Sequence, residues 1–485
     1  MTRNTWKLLW VCPLLAVLAA GADKPFSVDS YREVASRLVG SALTDEAGLA
    51  RLEYLCDRIG NRVSGSPALE KAVAWAAEEM KRAGLENVRT VPVKVRHWVR
   101  GQESLSMIEP LERPVAMLGL GDSVGTPPEE IEGEVVTVSD FSQLAKLGRE
   151  KVAGKIVLYN APYAGYGSTV MYRSSGASQA ARLGAVASLV RSITPFSMRS
   201  PHTGAVNYED GVAKIPAAAV SVEDAEALAR LTQTGVRIRV RLKMEAHMEP
   251  EADSADVMGE IPGRERPEEV VVLGGHIDSW DIGQGAQDDG SGIMASLEAV
   301  ALMKQLNLHP RRTVRVVFWT NEENGAAGGA AYRKWLGEGV KNHVAAIEMD
   351  GGAERPVGFG FGGEPGRRRR ATPPGAGTVP RSEAPASVGS EAAFARAVEI
   401  GKLLDGIGAS EMSHGGEGTD IAPLLTAGVP GFGLRTVSAH YFDWHHSNAD
   451  TFDKVDPHDF RLNVAALAVL SYVLADMPER LADFK

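Results

Sequence analysis

The sequence predicts an α/β protein: a doubly wound, mainly parallel sheet with helices on both faces, and a β-rich domain inserted into it. Two observations carry this prediction. After residue 246, apolar β-branched runs alternate with helical patterns, as in parallel sheets built from βαβ units. Before residue 246, short strands separated by Gly and Pro interrupt that alternation. A chain of 485 residues is long enough for two or three domains.

Charge and cysteine content argue against two classes of function. The net charge of -10 argues against a nucleic-acid partner, because such binding depends on basic contacts to phosphates. Cys56 is the sole cysteine beyond the N-terminal segment, so we expect no intrachain disulfide. Its amphipathic surroundings favour a small buried side chain over a catalytic thiol.

Residues 1–22 are typical of a cleavable signal peptide. The basic residues Arg3 and Lys7 precede an apolar run, Leu8–Leu18. Ala20-Gly21-Ala22 matches a cleavage site. The apolar run is short for a bilayer span, which leaves a retained anchor as the alternative. We therefore expect a secreted or periplasmic protein that has no stable membrane span after cleavage.

Residues 23–126 are predicted to form the first part of the main domain, as its helical layer and one edge strand. Helical patterns run from residue 28 to 58. Ser66 and Pro67 have the residue types of an N-cap and a first helical position, and Gly84 ends that helix. The alternation of apolar and polar residues from 87 to 99 predicts the edge strand.

Residues 127–245 are predicted to form the inserted domain. Short apolar strands are predicted at 134–138, 154–159, 185–190, 216–221 and 236–242, and helices at 178–183 and 222–231. This stretch has no clustered His, Asp and Glu at the spacing of metal ligands. We therefore expect it to gate the substrate or to serve a structural role.

Residues 246–485 are predicted to complete the main domain. Strands are predicted at 256–261, 270–275, 313–319, 344–349 and 432–435, and helices at 293–306, 391–404 and 460–474. A run rich in Pro, Gly, Ser and Ala, at 366–389, includes four arginines in a row. Its composition cannot bury enough apolar surface to fold, so we predict a mobile surface loop there.

Histidines and acidic residues directly follow several of these predicted strands. His276 and Asp278 follow the strand that begins at Val270, and Asp288 lies in the next loop. Open α/β sheets place their sites at the carboxyl ends of their strands. We therefore interpret His276 and Asp288 as metal ligands.

Later strands end in Glu322, Glu323 and Asp350, and His446 lies in a loop near the C-terminus. Each of these residues taken alone is more often a cap or a buried hydrogen-bonding group. Together with the first two ligands they bring two imidazoles and four carboxylates to one sheet edge, where like charges repel unless cations compensate them. Nitrogen and oxygen ligands without thiolates suit catalytic zinc. The sequence thus predicts two Zn²⁺ per chain, with one carboxylate bridging and one left free.

Two predicted roles concern residues beside the ligands. Glu322 and Glu323 are adjacent and cannot easily both point at one metal, so one binds and the other faces the activated water as a general base. Asp278 is placed to accept the second imidazole N–H of His276 and so to determine its tautomer.

This set of motifs resembles that of the co-catalytic di-zinc exopeptidases, the aminopeptidase-like metallopeptidases. The resemblance rests on His276-x-Asp278-Ser279, Gly285-Ala286-x-Asp288-Asp289-Gly290-Ser291-Gly292, Glu322-Glu323, Asp350 and His446-Ser447-x-x-Asp450-Thr451. The mature chain is more similar to the plasma glutamate carboxypeptidase (carboxypeptidase Q) branch, in which the inserted unit corresponds to a protease-associated domain. The resemblance implies a zinc exopeptidase-like fold and peptide hydrolysis.

The resemblance also implies a role for each ligand. His276 and Asp350 would hold one zinc ion, and Glu323 and His446 would hold the other. Asp288 would bridge the two ions.

Three further expectations come from the same family. Glu322 would be the general base, and the peptide bond from Asp288 to Asp289 would be cis. Many members have a tyrosine before the last ligand as oxyanion donor, where this chain has His445. His445 either donates in place of that tyrosine or competes with His446 as ligand. We prefer His446 as the ligand, because the residues that follow it keep the spacing of the family.

The predicted reaction is hydrolysis of dipeptides or short peptides by a metal-activated water. A free α-amine of the substrate can coordinate the second zinc, so the resemblance favours substrates with a free amino terminus. The sequence does not choose among aminopeptidase, dipeptidase and carboxypeptidase. It also leaves open whether the chain is a homodimer, although members of this branch commonly form one.

Three other functions match parts of the sequence. Gly121-Asp122-Ser123-Val124-Gly125 has the G-x-S-x-G pattern of serine hydrolases, but Thr126-Pro127-Pro128 opposes the helix that must follow. A single-zinc aminoacyl cyclase of the same fold would not need the full two-metal set. A non-catalytic binding protein on this fold would be expected to lack ligands, whereas every ligand position is filled here.

Overall fold

A computed structural model describes residues 26–362, 391–416 and 418–483. The predicted signal peptide at 1–22 and the predicted mobile loop at 366–389 lie outside these residues. Within the described ranges, no helix combines the length and the apolar character needed to cross a membrane.

The secondary structure follows the alternation that the sequence predicts. The strands are β1 (Glu86–Val99), β2 (Glu103–Glu109), β3 (Arg113–Pro114), β4 (Met117–Gly119), β5 (Ile131–Val138), β6 (Ile156–Tyr159), β7 (Ala187–Arg191), β8 (Ala217–Val220), β9 (Arg239–Met244), β10 (His247–Ile261), β11 (Arg266–His276), β12 (Arg312–Trp319), β13 (His343–Glu348), β14 (Pro356–Phe361), β15 (Glu411–His414) and β16 (Gly431–Thr436). The α-helices are α1 (Arg32–Thr44), α2 (Ala47–Tyr54), α3 (Pro67–Arg82), α4 (Phe141–Val152), α5 (Tyr166–Thr169), α6 (Met171–Ser174), α7 (Gly176–Arg182), α8 (Val222–Gln233), α9 (Ser291–Gln305), α10 (Ala327–Leu336), α11 (Glu391–Gly401), α12 (Ala422–Thr426), α13 (Tyr441–Trp444) and α14 (Pro457–Asp476).

The main domain is built on a sheet of order β1-β10-β12-β11-β13-β16-β14-β15. Its centre, from β12 through β11 and β13 to β16, is parallel, and antiparallel pairs lie toward the edges. The predicted edge strand, β1, lies at one end of the sheet. The parallel centre brings the carboxyl ends of β11, β12 and β13 to one edge.

Helices cover both faces of this sheet. On one face, Val271 and Leu273 join a core with α1, α9 and α14. On the other face, the alternate residues Val270 and Val272 join a core formed with α10 and α12. A central strand buried on both faces needs a continuous apolar run, which is the pattern that β11 shows. The predicted doubly wound α/β class is therefore confirmed.

The inserted domain has a second sheet, of order β3-β2-β9-β5-β6-β7-β8-β4. The run from β5 to β8 is parallel, and α4, α7 and α8 pack against it, so this domain contains more helix than a purely β-rich unit. Because β2 pairs with β9 and β4 with β8, the second sheet begins at Glu103. The division of the chain at residues 127 and 245 stays a prediction, and the sheet pairing extends upstream of its first boundary.

The predicted start and end of α3 are present in the structure. Ser66 has extended backbone angles, and its side chain accepts the N–H of Leu69 at 3.2 Å. Gly84 follows the helix with a φ of 82°, the left-handed conformation that glycine adopts without strain.

Candidate metal centre

Neighbouring strands of the main sheet deliver the predicted residues to one edge. His276 is the last residue of β11, Glu322 and Glu323 lie in the loop after β12, and Asp350 lies just after β13. β11 and β12 run parallel and end level with one another. His446 comes from the loop after α13. The topological expectation that these residues converge thus agrees with the geometry.

Asp288 lies between the two histidines. Its Oδ1 is 3.2 Å from Nε2 of His276, and its Oδ2 is 3.1 Å from Nε2 of His446. Each histidine also has a carboxylate of its own: Asp350 Oδ1 is 3.5 Å from His276 Nε2, and Glu323 Oε2 is 3.0 Å from His446 Nε2. The arrangement is two ligand groups that share one carboxylate.

His445 lies within reach of the same site. Its Nε2 is 3.7 Å from Asp288 Oδ2, and its ring stacks on that of His446 with centroids 3.5 Å apart. His446 is nearer to the bridging carboxylate and also contacts Glu323. Burial and the neighbouring His446 lower the pKa of His445 well below its usual value, so His445 is a neutral imidazole with one N–H to donate.

The electrostatics of the cluster favour a bound cation. Burial raises the pKa of Glu323 to about 8, and the charge of Asp288 adds to that rise. Burial alone would lower the pKa of His276 and of His446, but the adjoining carboxylates raise both well above the usual value. In the described part of the chain, Glu323 Oε1 is a buried oxygen without a hydrogen-bond donor.

This donor set fits zinc. Two imidazole nitrogens and three carboxylates are ligands that zinc prefers in catalytic sites. A divalent ion at each group would replace the protons that the carboxylates otherwise hold on the histidines. It would also bind the buried Glu323 oxygen that lacks a donor.

Asp278 contacts the site differently from the expectation. The nearest oxygen to Nδ1 of His276 is the backbone carbonyl of Asp278, at 3.0 Å, whereas its carboxylate lies 3.7 Å away. The carboxylate instead accepts the backbone N–H of Glu322 at 3.1 Å and that of Glu323 at 3.4 Å. The side chain of Asp278 therefore holds the loop that carries the predicted base and its neighbouring ligand.

Asp450 is a site residue to which the sequence analysis assigned no role of its own. Its carboxylate accepts the backbone N–H groups of Ala286, Gln287 and Asp288 at 3.1, 2.7 and 3.2 Å. It thereby joins the loop of His446 to the loop of the bridging residue. The sequence signal for Asp450 is its position in the family motif, four residues after His446.

Arg62 is the second such residue, and it is fully buried. Its guanidinium donates to the backbone carbonyls of Ile277, Gln284 and Gly285 at 2.8, 2.7 and 3.0 Å. The segment that it holds connects His276 to Asp288. Since all these acceptors are backbone atoms, no side-chain pattern in the sequence points to Arg62.

The peptide bond between Asp288 and Asp289 is cis, as the family resemblance implies. The carboxylate of Asp289 accepts the backbone N–H of His276 at 3.1 Å and that of Gly292 at 3.1 Å. Asp289 thus faces the sheet and the start of α9, while its neighbour faces the ligands.

Ser123, in the G-x-S-x-G pattern, is not placed as a nucleophile. It is buried, its Oγ donates to the carbonyl of Val124 at 2.9 Å, and it accepts the N–H of Ala217 at 2.9 Å. Among the described residues, the next regular element after it is the strand β5, not a helix. The serine-hydrolase alternative lacks the structural context that it requires.

Comparison with known proteins identifies both domains. Residues 256–471 match the model of peptidase family M28, and residues 131–228 match the PA domain. Carboxypeptidase Q of Homo sapiens is 42% identical over 483 residues, which cover 98% of this chain and 97% of the human protein. Carboxypeptidase Q of Xenopus laevis is also 42% identical, over 94% of this chain and 92% of its own length.

Solved structures agree with these sequence matches. The peptidase M28 precursor from Shewanella amazonensis has a TM-score of 0.86 at 30% identity, covering 94% of this chain and 98% of its own. BSAP, a zinc aminopeptidase from Bacillus subtilis, has a TM-score of 0.63 at 17% identity, covering 90% and 97%, and supports the fold alone. The chain therefore belongs to peptidase family M28 and is a metallo-exopeptidase with an inserted PA domain.

Proposed function

We propose that this zinc exopeptidase is exported, binds two zinc ions per chain, and hydrolyses dipeptides or short peptides that have a free amino terminus. The observation that carries the proposal is the position of Asp288 between His276 and His446, each of which has a further carboxylate beside it. One shared carboxylate with two separate ligand pairs is the arrangement that two metal ions need.

The similar proteins carry two kinds of exopeptidase name, and together these support a dipeptide as the smallest substrate. The similar proteins include carboxypeptidases and, at the level of the fold, zinc aminopeptidases. The single peptide bond of a dipeptide adjoins both a free amine and a free carboxylate, so either specificity would accept it.

Glu322 is the residue that we propose as general base. Zinc, when bound, would lower the pKa of a water molecule and polarise the scissile carbonyl. Glu322 is half-buried and adjoins the proposed ligand Glu323 in the loop after β12. Burial raises the pKa of Asp350 and of Asp278, and the charge of Glu322 adds to both rises, which supports a position near the ligands. It would accept the proton of the attacking water and pass it to the leaving amine.

His445 is the residue that we propose as donor to the oxyanion. Its Nε2 already faces the shared carboxylate, 3.7 Å from Asp288 Oδ2. Its stacked contact with His446 keeps the ring against the ligand group. A neutral imidazole in this position can donate its N–H to developing negative charge on the carbonyl oxygen.

The variant Glu322→Gln tests the assignment of the base. We expect it to retain zinc and fold, and to lose roughly 10³-fold or more in kcat, because the water loses its proton acceptor. Metal analysis of wild-type protein is expected to give two zinc ions per chain, and chelation is expected to abolish hydrolysis. Hydrolysis that persists after complete zinc removal would exclude the mechanism.

A substrate panel tests the specificity and the alternative. A dipeptide and its N-acetyl derivative differ only in the free amine, so we expect the acetylated form to react far more slowly. One zinc ion per chain, together with cyclisation of an amino-terminal residue in place of hydrolysis, would instead identify an aminoacyl cyclase on the same fold.

A further inference from the structure

The inserted PA domain contacts the last predicted metal ligand directly. The carbonyl oxygen of Thr203 lies 3.3 Å from Nδ1 of His446, and the N–H of Thr203 donates to the carbonyl of His446 at 2.8 Å. Two contacts of opposite sense therefore join one residue of the PA domain to one residue of the main domain. His446 has a φ of 60°, a left-handed conformation that is uncommon for a histidine. Both contacts with Thr203 are made by this residue, one through its side chain and one through its backbone carbonyl.

Thr203 is itself held in place by residues of strand β4 and of helices α5 and α6. Its hydroxyl donates to the carbonyl of Gly119 at 2.7 Å. The buried guanidinium of Arg173 donates through Nη1 to the carbonyl of Thr203 at 3.3 Å, and through Nη2 to the hydroxyl of Tyr166 at 2.8 Å. The same Nη1 lies 3.3 Å from Nδ1 of His446, so Arg173 and His446 share the Thr203 carbonyl as acceptor and Arg173 also contacts the ligand directly. Gly204 leaves room for that guanidinium, because a Cβ at Gly204 would overlap it.

The other predicted histidine ligand does not depend on the PA domain. Nδ1 of His276 lies 3.0 Å from the carbonyl of Asp278, two residues along the same chain segment. When Nε2 of a histidine binds metal, the acceptor at Nδ1 determines its tautomer and ring orientation, and loss of such a partner typically weakens metal binding 10- to 100-fold. One ligand group is thus supported within the main domain, while the other relies on a contact between domains.

We propose that the PA domain forms part of the second zinc site, with Thr203 as the positioning residue for His446 and Arg173 as the residue that holds Thr203. This inference rests on the proposed two-zinc function. It assigns to the inserted domain a role in metal binding, and it makes the two zinc sites unequal in what supports them.

The variant Arg173→Met tests the proposal through metal binding rather than activity. Zinc-loaded protein is titrated with a chelator, and zinc per chain is followed as two separate losses. We expect the variant to lose one zinc ion at about 10- to 100-fold lower chelator concentration, and to hold the other as the wild type does. Arg173→Lys, which keeps a donor and a charge, is expected to restore part of the affinity.

Arg191→Met is the matched control. Arg191 is also buried in the PA domain, but its guanidinium contacts the carbonyl of Ala161 at 3.3 Å and Glu226 at 3.4 Å. We expect it to leave both zinc losses as in the wild type. In a His446→Ala background, Arg173→Met is expected to cause no further weakening, because both changes act on the same site.

The outcomes separate this inference from the proposed function. Wild-type protein with fewer than two zinc ions would overturn the proposed function. If the wild type binds two zinc ions but Arg173→Met leaves both zinc losses unchanged, or shifts both equally, the positioning role alone would be overturned. If Arg173→Met does not fold, Tyr166→Phe removes only the hydroxyl that holds Arg173. That variant is expected to weaken the same single site to a smaller extent, and two unchanged losses there would also overturn the role.

Discussion

Asp278→Asn tests how the sheet edge holds the general base. Asp278 is fully buried, and its carboxylate oxygens accept the N–H groups of Glu322 at 3.1 Å and Glu323 at 3.4 Å. An asparagine has one acceptor oxygen, so one of these N–H groups would face an NH₂ group instead. The loop that carries both glutamates should then shift or loosen.

The expected loss follows from one hydrogen bond to a charged acceptor, which is worth about 1.5–3 kcal/mol. If that energy is needed to place Glu322, kcat falls about 10- to 100-fold, because each 1.36 kcal/mol corresponds to about a factor of ten. None of the predicted ligands is altered, so zinc content should be unchanged. KM should change less than kcat, because the loop holds the base more than it holds the substrate.

The assay is steady-state hydrolysis of a dipeptide, with zinc measured on the same preparation. Asp256→Asn is a suitable control, because Asp256 is also fully buried and accepts one backbone N–H, that of Thr320 at 3.0 Å. Burial raises the pKa of Asp256 to about 8, so at neutral pH the substitution exchanges one neutral group for another. We expect that control to retain most of its activity.

Two results would refute the reasoning. A kcat for Asp278→Asn close to that of the wild type would show that the carboxylate does not position the loop. Loss of zinc in step with loss of activity would show that the carboxylate acts mainly through His276, as the sequence alone had indicated.

Three further predictions follow from buried groups. Carboxylates raise the pKa of His276 and of His446 well above the usual value in spite of burial, so both must release protons to bind metal. Zinc affinity should therefore fall as the pH is lowered through these raised pKa values, and calorimetry that found a pH-independent affinity would contradict this. Arg62→Met leaves the backbone carbonyls of Ile277 and Gln284 without their guanidinium donor and should lower the free energy of unfolding by about 2–6 kcal/mol in urea titrations, at about 1–3 kcal/mol for each unsatisfied acceptor. An unchanged midpoint would exclude a structural role. Burial raises the pKa of Cys56 to about 12, so a thiol reagent at neutral pH should label it only after unfolding, and rapid labelling of the native protein would contradict the structure.

The order of elements in the main domain could be predicted because each strand and helix has its own local pattern of apolar residues. β11, β12 and β13 are buried on both faces and appear as apolar runs, and each ends at a candidate site residue or is followed by one within three residues. That rule places His276, Glu322 and Asp350 at one edge without any knowledge of distances. The sequence does not predict β14, whose glycines Gly358 and Gly360 pack against backbone atoms of β15 and of the loop after it, because only the neighbouring strand shows why glycine is needed there.

The sequence by itself determined the fold class, the metal-type residues and the convergence of their strands, since these depend on local periodicity and residue type. The tertiary structure alone decided what holds those residues in place. Asp450 and Arg62 act on backbone N–H and carbonyl groups of segments distant in the chain. Thr203 contacts the His446 side chain through its own backbone carbonyl, across a separation of 243 residues. Almost every residue type carries the same backbone N–H and carbonyl groups, so a hydrogen bond to a backbone atom does not restrict the residue type at the contacted position. Such contacts therefore cannot be recognised from the sequence.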